Sequence, residues 1–231
     1  MKVYDNLNRI EQRWYELLKE GIEKREEVFF CEGTVQPEWM NRILKSILVD
    51  NPQLFWFQGK WRLEQRQENS YMYLEYTHTA DEIAKGKEEL RHCMEELRVK
   101  EEKSPYEQAR YYYDILLERV HYGMSKSSGQ TAYDALLRKE AVCKGLSKAY
   151  QLLLTEAGIG CTLAEGTVDG VAKHTWNVIS IDGKSYHVDV ALGYDKFSYL
   201  FTEGRRSDKY RCFAVSDEVI KVTNKPINAS Y

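Results

Sequence analysis

The pair Asp182-Gly183, set between the runs HTWNVISI and KSYHVDV, constrains this chain more than any other two residues. A type I′ turn needs two successive residues with positive φ, and Asp-Gly supplies them at low steric cost. A two-residue turn also fixes the register, because every pairing is counted outward from it. Ile181 falls opposite Lys184, Trp176 opposite Asp189 and His174 opposite Ala191. Side chains alternate across a strand, so His174, Trp176, Val178 and Ser180 share a face with Ser185, His187, Asp189 and Ala191. His174 and Asp189 become diagonal neighbours, about 7–8 Å apart at the backbone and within side-chain reach. A slip of one residue would send them to opposite faces.

Upstream, Cys143 stands where an apolar-periodic helix begins, with Leu146, Tyr150 and Leu153 on one face. A thiol at a helix N-terminus meets the positive end of the helix dipole and unpaired backbone N–H groups, and both favour the thiolate. The same N–H groups can cradle an oxyanion on an attacked carbonyl. If His174 packs against this helix start, it can hold the thiolate as an ion pair, with Asp189 fixing the imidazole's tautomer and orientation. His187 lies on the same face as Asp189 but opposite Val178, farther from the helix start, so His174 is the preferred base.

The five cysteines, Cys31, Cys93, Cys143, Cys161 and Cys212, are odd in number and form no CxxC pair. That argues against a disulfide framework and against a structural zinc site. The four besides Cys143 read as packing residues. A zinc reading would need Cys143, His174 and Asp189 as ligands, without the paired local spacing such sites use, so neither metal nor cofactor is expected. A net charge of -3 supplies no basic field for nucleic acid or anionic lipid. No window is apolar enough to span a membrane, and MKVYDNLNRIEQRW lacks the apolar region of a signal peptide. The chain as it stands reads as cytoplasmic, and nothing in it speaks to oligomeric state.

The order of elements points to an α+β fold. Leu7, Ile10, Trp14, Leu17 and Ile22 mark an amphipathic first helix; a second starts at Pro37 and ends before Pro52. LFWFQGKWRLEQ and ENSYMYLEY read as a small β-meander, whose aromatics are more consistent with a sheet core than with a carbohydrate-binding face. A helical period returns at Ala80, and Ser104-Pro105-Tyr106-Glu107 is a capping box opening a helix to about Tyr122. TAYDALLRK reads as a short helix, and CTLAEGTV, HTWNVISI, KSYHVDV and YRCFAVS as strands. The division drawn is residues 1–103, an N-terminal helical extension with its meander, and residues 104–231, the core.

The stretch TAYDALLRKEAVCKGLSKAYQLLLTEAGIG, followed by HTWNV and SYHVDV, resembles the core of the transglutaminase-like superfamily in its bacterial form. The family's pattern is met by Val142, Cys143, Gly145 and Ser147; by His174, Thr175, Trp176 and Asn177; and by Tyr186 and Asp189. Leu146 stands where bacterial members often carry an aromatic, and Tyr186 where many carry tryptophan. The resemblance implies a papain-like fold with a helix bearing Cys143 on an antiparallel sheet bearing His174 and Asp189, and a Cys-His-Asp triad. It implies acyl transfer on peptide or protein substrates through a Cys143 thioester, resolved by water or by an amine. Gln130 and Tyr133, upstream of the nucleophile, are the candidate additional oxyanion donors by residue type, and Trp176 the candidate cleft wall. The alternative is a domain that keeps the fold without turnover and binds peptide or carbohydrate as a scaffold.

Overall fold

The computed structural model describes residues 2–124, 128–168, 170–194, 209–221 and 224–226. Two compact units divide the chain between Lys87 and Glu88.

In the first unit, α1 (Arg9–Lys24) opens on a capping box: the Asn8 side chain accepts from the N–H groups of Ile10 and Glu11, while Glu11 accepts from the Asn8 N–H. Its buried face is Glu11, Tyr15, Leu18 and Ile22, one residue round from the stripe expected from the sequence. Ile10 and Leu17 are consequently exposed. Polar partners explain the rotation. The Tyr15 hydroxyl is held by Asp50 and Asn51, and Glu11 pairs with Arg42, so both can be buried. After α1 come β1 (Val28–Cys31) and α2 (Pro37–Asp50), which has proline in its first turn as expected, then β2 (Phe57–Arg66) and β3 (Asn69–Tyr76). The three strands pair antiparallel in the order β1-β3-β2. The following helix, α3 (Ala80–Leu97), contains the boundary between the units.

In the second unit, Leu90, Cys93 and Leu97 of α3 join the core with Tyr112, Tyr113 and Leu116 of α4 (Pro105–Arg119). The capping box at Ser104 and Glu107 forms as the sequence predicts. α4 stops three residues short of Tyr122, because His121–Tyr122 leave the helix to form β4 beside β5 (Glu140–Ala141). TAYDALLRK contributes a single wide turn, Asp134–Arg138. The central helix α5 (Cys143–Glu156) buries Leu146, Ala149, Tyr150, Leu153 and Leu154, each worth roughly 1.5–3 kcal/mol of apolar burial for the larger side chains. Gly158, at φ +75°, ends this helical region in the left-handed conformation glycine tolerates.

α5 lies on an antiparallel sheet of order β8-β7-β6-β9, built from β6 (Gly160–Val168), β7 (Ala172–Ile181), β8 (Lys184–Val188) and β9 (Asn224–Pro226). Asp182 and Gly183 both have positive φ, and the ladder runs from Ile181↔Lys184 to Asn177↔Val188 in the expected register. It ends there, three pairs short of His174↔Ala191. Residues Ala191–Gly193 coil into a 3₁₀ turn, so the expected strand pairs Trp176 with Asp189 and His174 with Ala191 do not form. The cause is Asp189 itself, whose side chain accepts the Leu192 N–H and so starts the turn. YRCFAVS is not a strand either. It runs as turns and bends, with one bridge at Val215 to His187. The last short helix is α6 (Asp217–Ile220). Among the described residues no helix is long and apolar enough to cross a membrane.

Candidate active site

Cys143 is the first residue of α5, following Val142 in extended conformation, so its N–H belongs to the donors the helix cannot satisfy internally. Gly145 is required by close approach. A Cβ there would lie 2.3 Å from the Gly129 carbonyl oxygen, which also accepts the Val142 N–H at 3.0 Å. Gly145→Ala must push the 129 loop off the helix start, and we expect it to lower unfolding free energy by about 1–3 kcal/mol in a denaturant titration.

Two hydrogen bonds clip the start of α5 to β7: Ser147 Oγ donates to the Thr175 carbonyl at 3.0 Å, and Asn177 Nδ2 donates to the Ser147 carbonyl at 2.9 Å. They set the cysteine beside the histidine. His174 directs Nε2 to Asp189 Oδ2 at 2.6 Å and its other ring nitrogen to the Cys143 thiol. His174 and Asp189 are buried at 6% and 0% exposure, while Cys143 remains partly exposed. Of the five free cysteines it is the one not fully buried. The imidazole thus hydrogen-bonds both the thiol and the carboxylate.

Burial works to raise the Cys143 thiol's pKa, but the hydrogen bond and charge of His174, helped by the Thr175 N–H, outweigh it and hold the thiol below its ordinary value. Burial likewise opposes the imidazolium, yet the Asp189 charge and hydrogen bond, with the Cys143 side chain, push His174 up to about 10. Both shifts favour the thiolate–imidazolium form.

Trp176 is fully buried and stacks on His174 at 6.2 Å between centroids and 19° between planes. Its indole N–H donates to His187 Nδ1 at 2.9 Å, which leaves His187 the tautomer with its proton on Nε2, facing Asp217 at 2.9 Å. His187 thus belongs to a separate pair that supports Trp176 from behind. Gln130 sits on the loop beside the helix start, its N–H bonded to Ser128 Oγ at 3.4 Å. Tyr133 sends its hydroxyl to Glu89 at 3.1 Å, with Arg138 over its ring.

Two residues that sequence reasoning did not single out complete the arrangement. Tyr122 hydrogen-bonds both the side chain and the backbone N–H of Cys143; burial, then the Cys143 charge, raise its pKa and keep its hydroxyl protonated. Its signal was faint, a strand of two residues read as the end of a helix. Asn224 donates Nδ2 to Asp189 Oδ2 at 2.8 Å from 35 positions away, and nothing local announces it.

A helix that carries a cysteine at its start, packed on an antiparallel sheet that brings up histidine and aspartate, gives the α+β arrangement that the sequence predicts. Residues 92–190 match the family model of the transglutaminase-like superfamily, and the matched stretch contains Cys143, His174 and Asp189. A search of curated proteins finds no match. Solved structures similar to the chain include a TGase (10% identity, TM-score 0.42, covering 71% of this chain and 50% of that one). Others are a candidate cysteine protease from Cytophaga hutchinsonii (13%, 0.40, 57% and 61%) and a candidate protease from Parabacteroides distasonis (12%, 0.34, 71% and 40%). The chain thus spans about half the length of these structures.

Proposed function

We propose that this protein is a cysteine-dependent acyl transferase or hydrolase acting on peptide or protein amides, with Cys143 as nucleophile, His174 as base and acid, and Asp189 as the group that orients His174. The observation that carries the proposal is the buried His174 bonded to both the Asp189 carboxylate and the Cys143 thiol, with opposite shifts on Cys143 and His174 that favour the charged pair. Residues 104–231 would carry the chemistry and residues 1–103 would be an added module.

In the proposed reaction the Cys143 thiolate attacks the substrate carbonyl, and the electron pair moves onto the oxygen. That oxygen develops charge beside the start of α5, where the Cys143 N–H is held. Tyr122 supports the same step. Once sulfur is bonded to carbon it no longer carries the charge that the Tyr122 hydroxyl faced, and this donor is free to turn to the oxyanion. His174 passes its proton to the departing amine, leaving a thioester on Cys143. Water or a second amine then gives a proton to His174 as it attacks, and the thiolate leaves.

Intact-mass analysis after treatment with a thiol-directed acyl electrophile tests this reading. Wild type should take up one acyl group that maps to Cys143, and Cys143→Ser should take up none. Labelling that persists in the serine variant would remove Cys143 from the mechanism and leave the domain as a binding scaffold.

A further inference from the structure

We propose that Asn224 is a positioning residue of this site, whose side-chain amide holds the Asp189 carboxylate in the rotation that keeps Oδ2 on the His174 ring. The inference rests on the acyl-transfer reading above.

Asp189 has three donors. Leu192 N–H reaches Oδ1 at 3.1 Å, while His174 Nε2 and Asn224 Nδ2 reach Oδ2 at 2.6 and 2.8 Å. An ionised carboxylate oxygen has two lone pairs, so the two donors on Oδ2 need not compete. With Leu192 alone as anchor, the carboxylate can pivot about its Cβ–Cγ bond and swing Oδ2 off the imidazole. A second anchor on Oδ2 removes that freedom. Asn224 is placed for this by β9, whose backbone pairs with Val168 at the free edge of β6.

Packing does not explain the residue. Asn224 is fully buried, and its Oδ1 has no hydrogen-bond partner among the described residues. An amide buried with half its capacity unmet is a poor filler, since an apolar side chain of similar volume avoids that desolvation loss. What an apolar side chain cannot do is donate to Asp189. The other titratable groups facing the pair are Cys143 from α5, Tyr122 from β4 and Tyr113 from α4.

The test measures the alkylation rate of Cys143 against pH in the full chain, following the Cys143 peptide by mass spectrometry, in wild type, Asn224→Leu and Asn224→Ala. Thermal unfolding is recorded alongside. If Asn224 positions Asp189, both folded variants lose stabilisation of the imidazolium, and the alkylation midpoint rises by about one pH unit, roughly tenfold less thiolate at pH values below the wild-type midpoint. A folded Asn224→Leu with an unchanged or lower midpoint overturns the proposal. So does failure of both variants to fold, which would make Asn224 a structural residue. An ordinary midpoint in wild type sinks the acyl-transfer reading instead; a low midpoint shared by all three proteins sinks only the role of Asn224.

Discussion

Asp189→Asn should lower kcat on an amide substrate by about 10²- to 10⁴-fold while leaving the thiol in place. The reason lies in the donors that surround the carboxylate. Both oxygens of Asp189 accept, Oδ1 from Leu192 and Oδ2 from His174 and Asn224. An amide at position 189 must present its NH₂ to one side or the other. Turned toward Oδ1, it opposes the Leu192 N–H, and the 3₁₀ turn after position 189 is strained. Turned toward Oδ2, it can bond His174 only if that ring accepts at Nε2, which moves the proton to Nδ1 and points it at Cys143. The base is then in the wrong tautomer. Charge-assisted bonds are also replaced by neutral ones in a fully buried setting, so the unfolding free energy should fall by about 1–3 kcal/mol. Steady-state kinetics with a denaturant titration checks both, and kcat within tenfold of wild type would remove Asp189 from its orienting role.

His174→Ala carries the other large effect, and its sign follows from the order of the influences on the thiol. In the native site, burial alone would raise the Cys143 pKa; His174 reverses this, and the Thr175 N–H adds a smaller lowering. Removing the imidazole leaves the burial effect nearly unopposed. Wild-type Cys143 should therefore alkylate below the pH range of an ordinary thiol, and the variant's midpoint should move past the ordinary value of 9.0 rather than simply back to it. At pH 6 the variant should react at least about 100-fold more slowly, since each unit of pKa is a factor of ten in thiolate. Identical pH profiles for the two proteins would mean that no ion pair exists.

The parts of this site that were legible in the sequence are those governed by local rules. Asp182-Gly183 set the turn, and the turn set a register that the ladder follows to Asn177↔Val188. That put His174 and Asp189 on one face, and helix periodicity put Cys143 at the start of α5. The stripe on α1 was misplaced by one residue because Glu11 and Tyr15 are buried with partners 31 and 35 positions away, and no periodicity scale counts a paired glutamate as a core residue. The end of β8 was missed because Asp189 uses its side chain to start a turn instead of continuing the strand.

By itself the sequence determined the turn, the register and the helix start, because each depends on neighbours along the chain and on the φ and ψ that those residue types allow. Tertiary structure alone decided what stands around the three side chains. Tyr122 comes from a two-residue strand and Asn224 from a separate strand at the other edge of β6, and both arrive through backbone pairing between distant segments. Whether a buried imidazole is held charged depends on which dipoles and carboxylates surround it in space, and that environment exists only once those segments have packed.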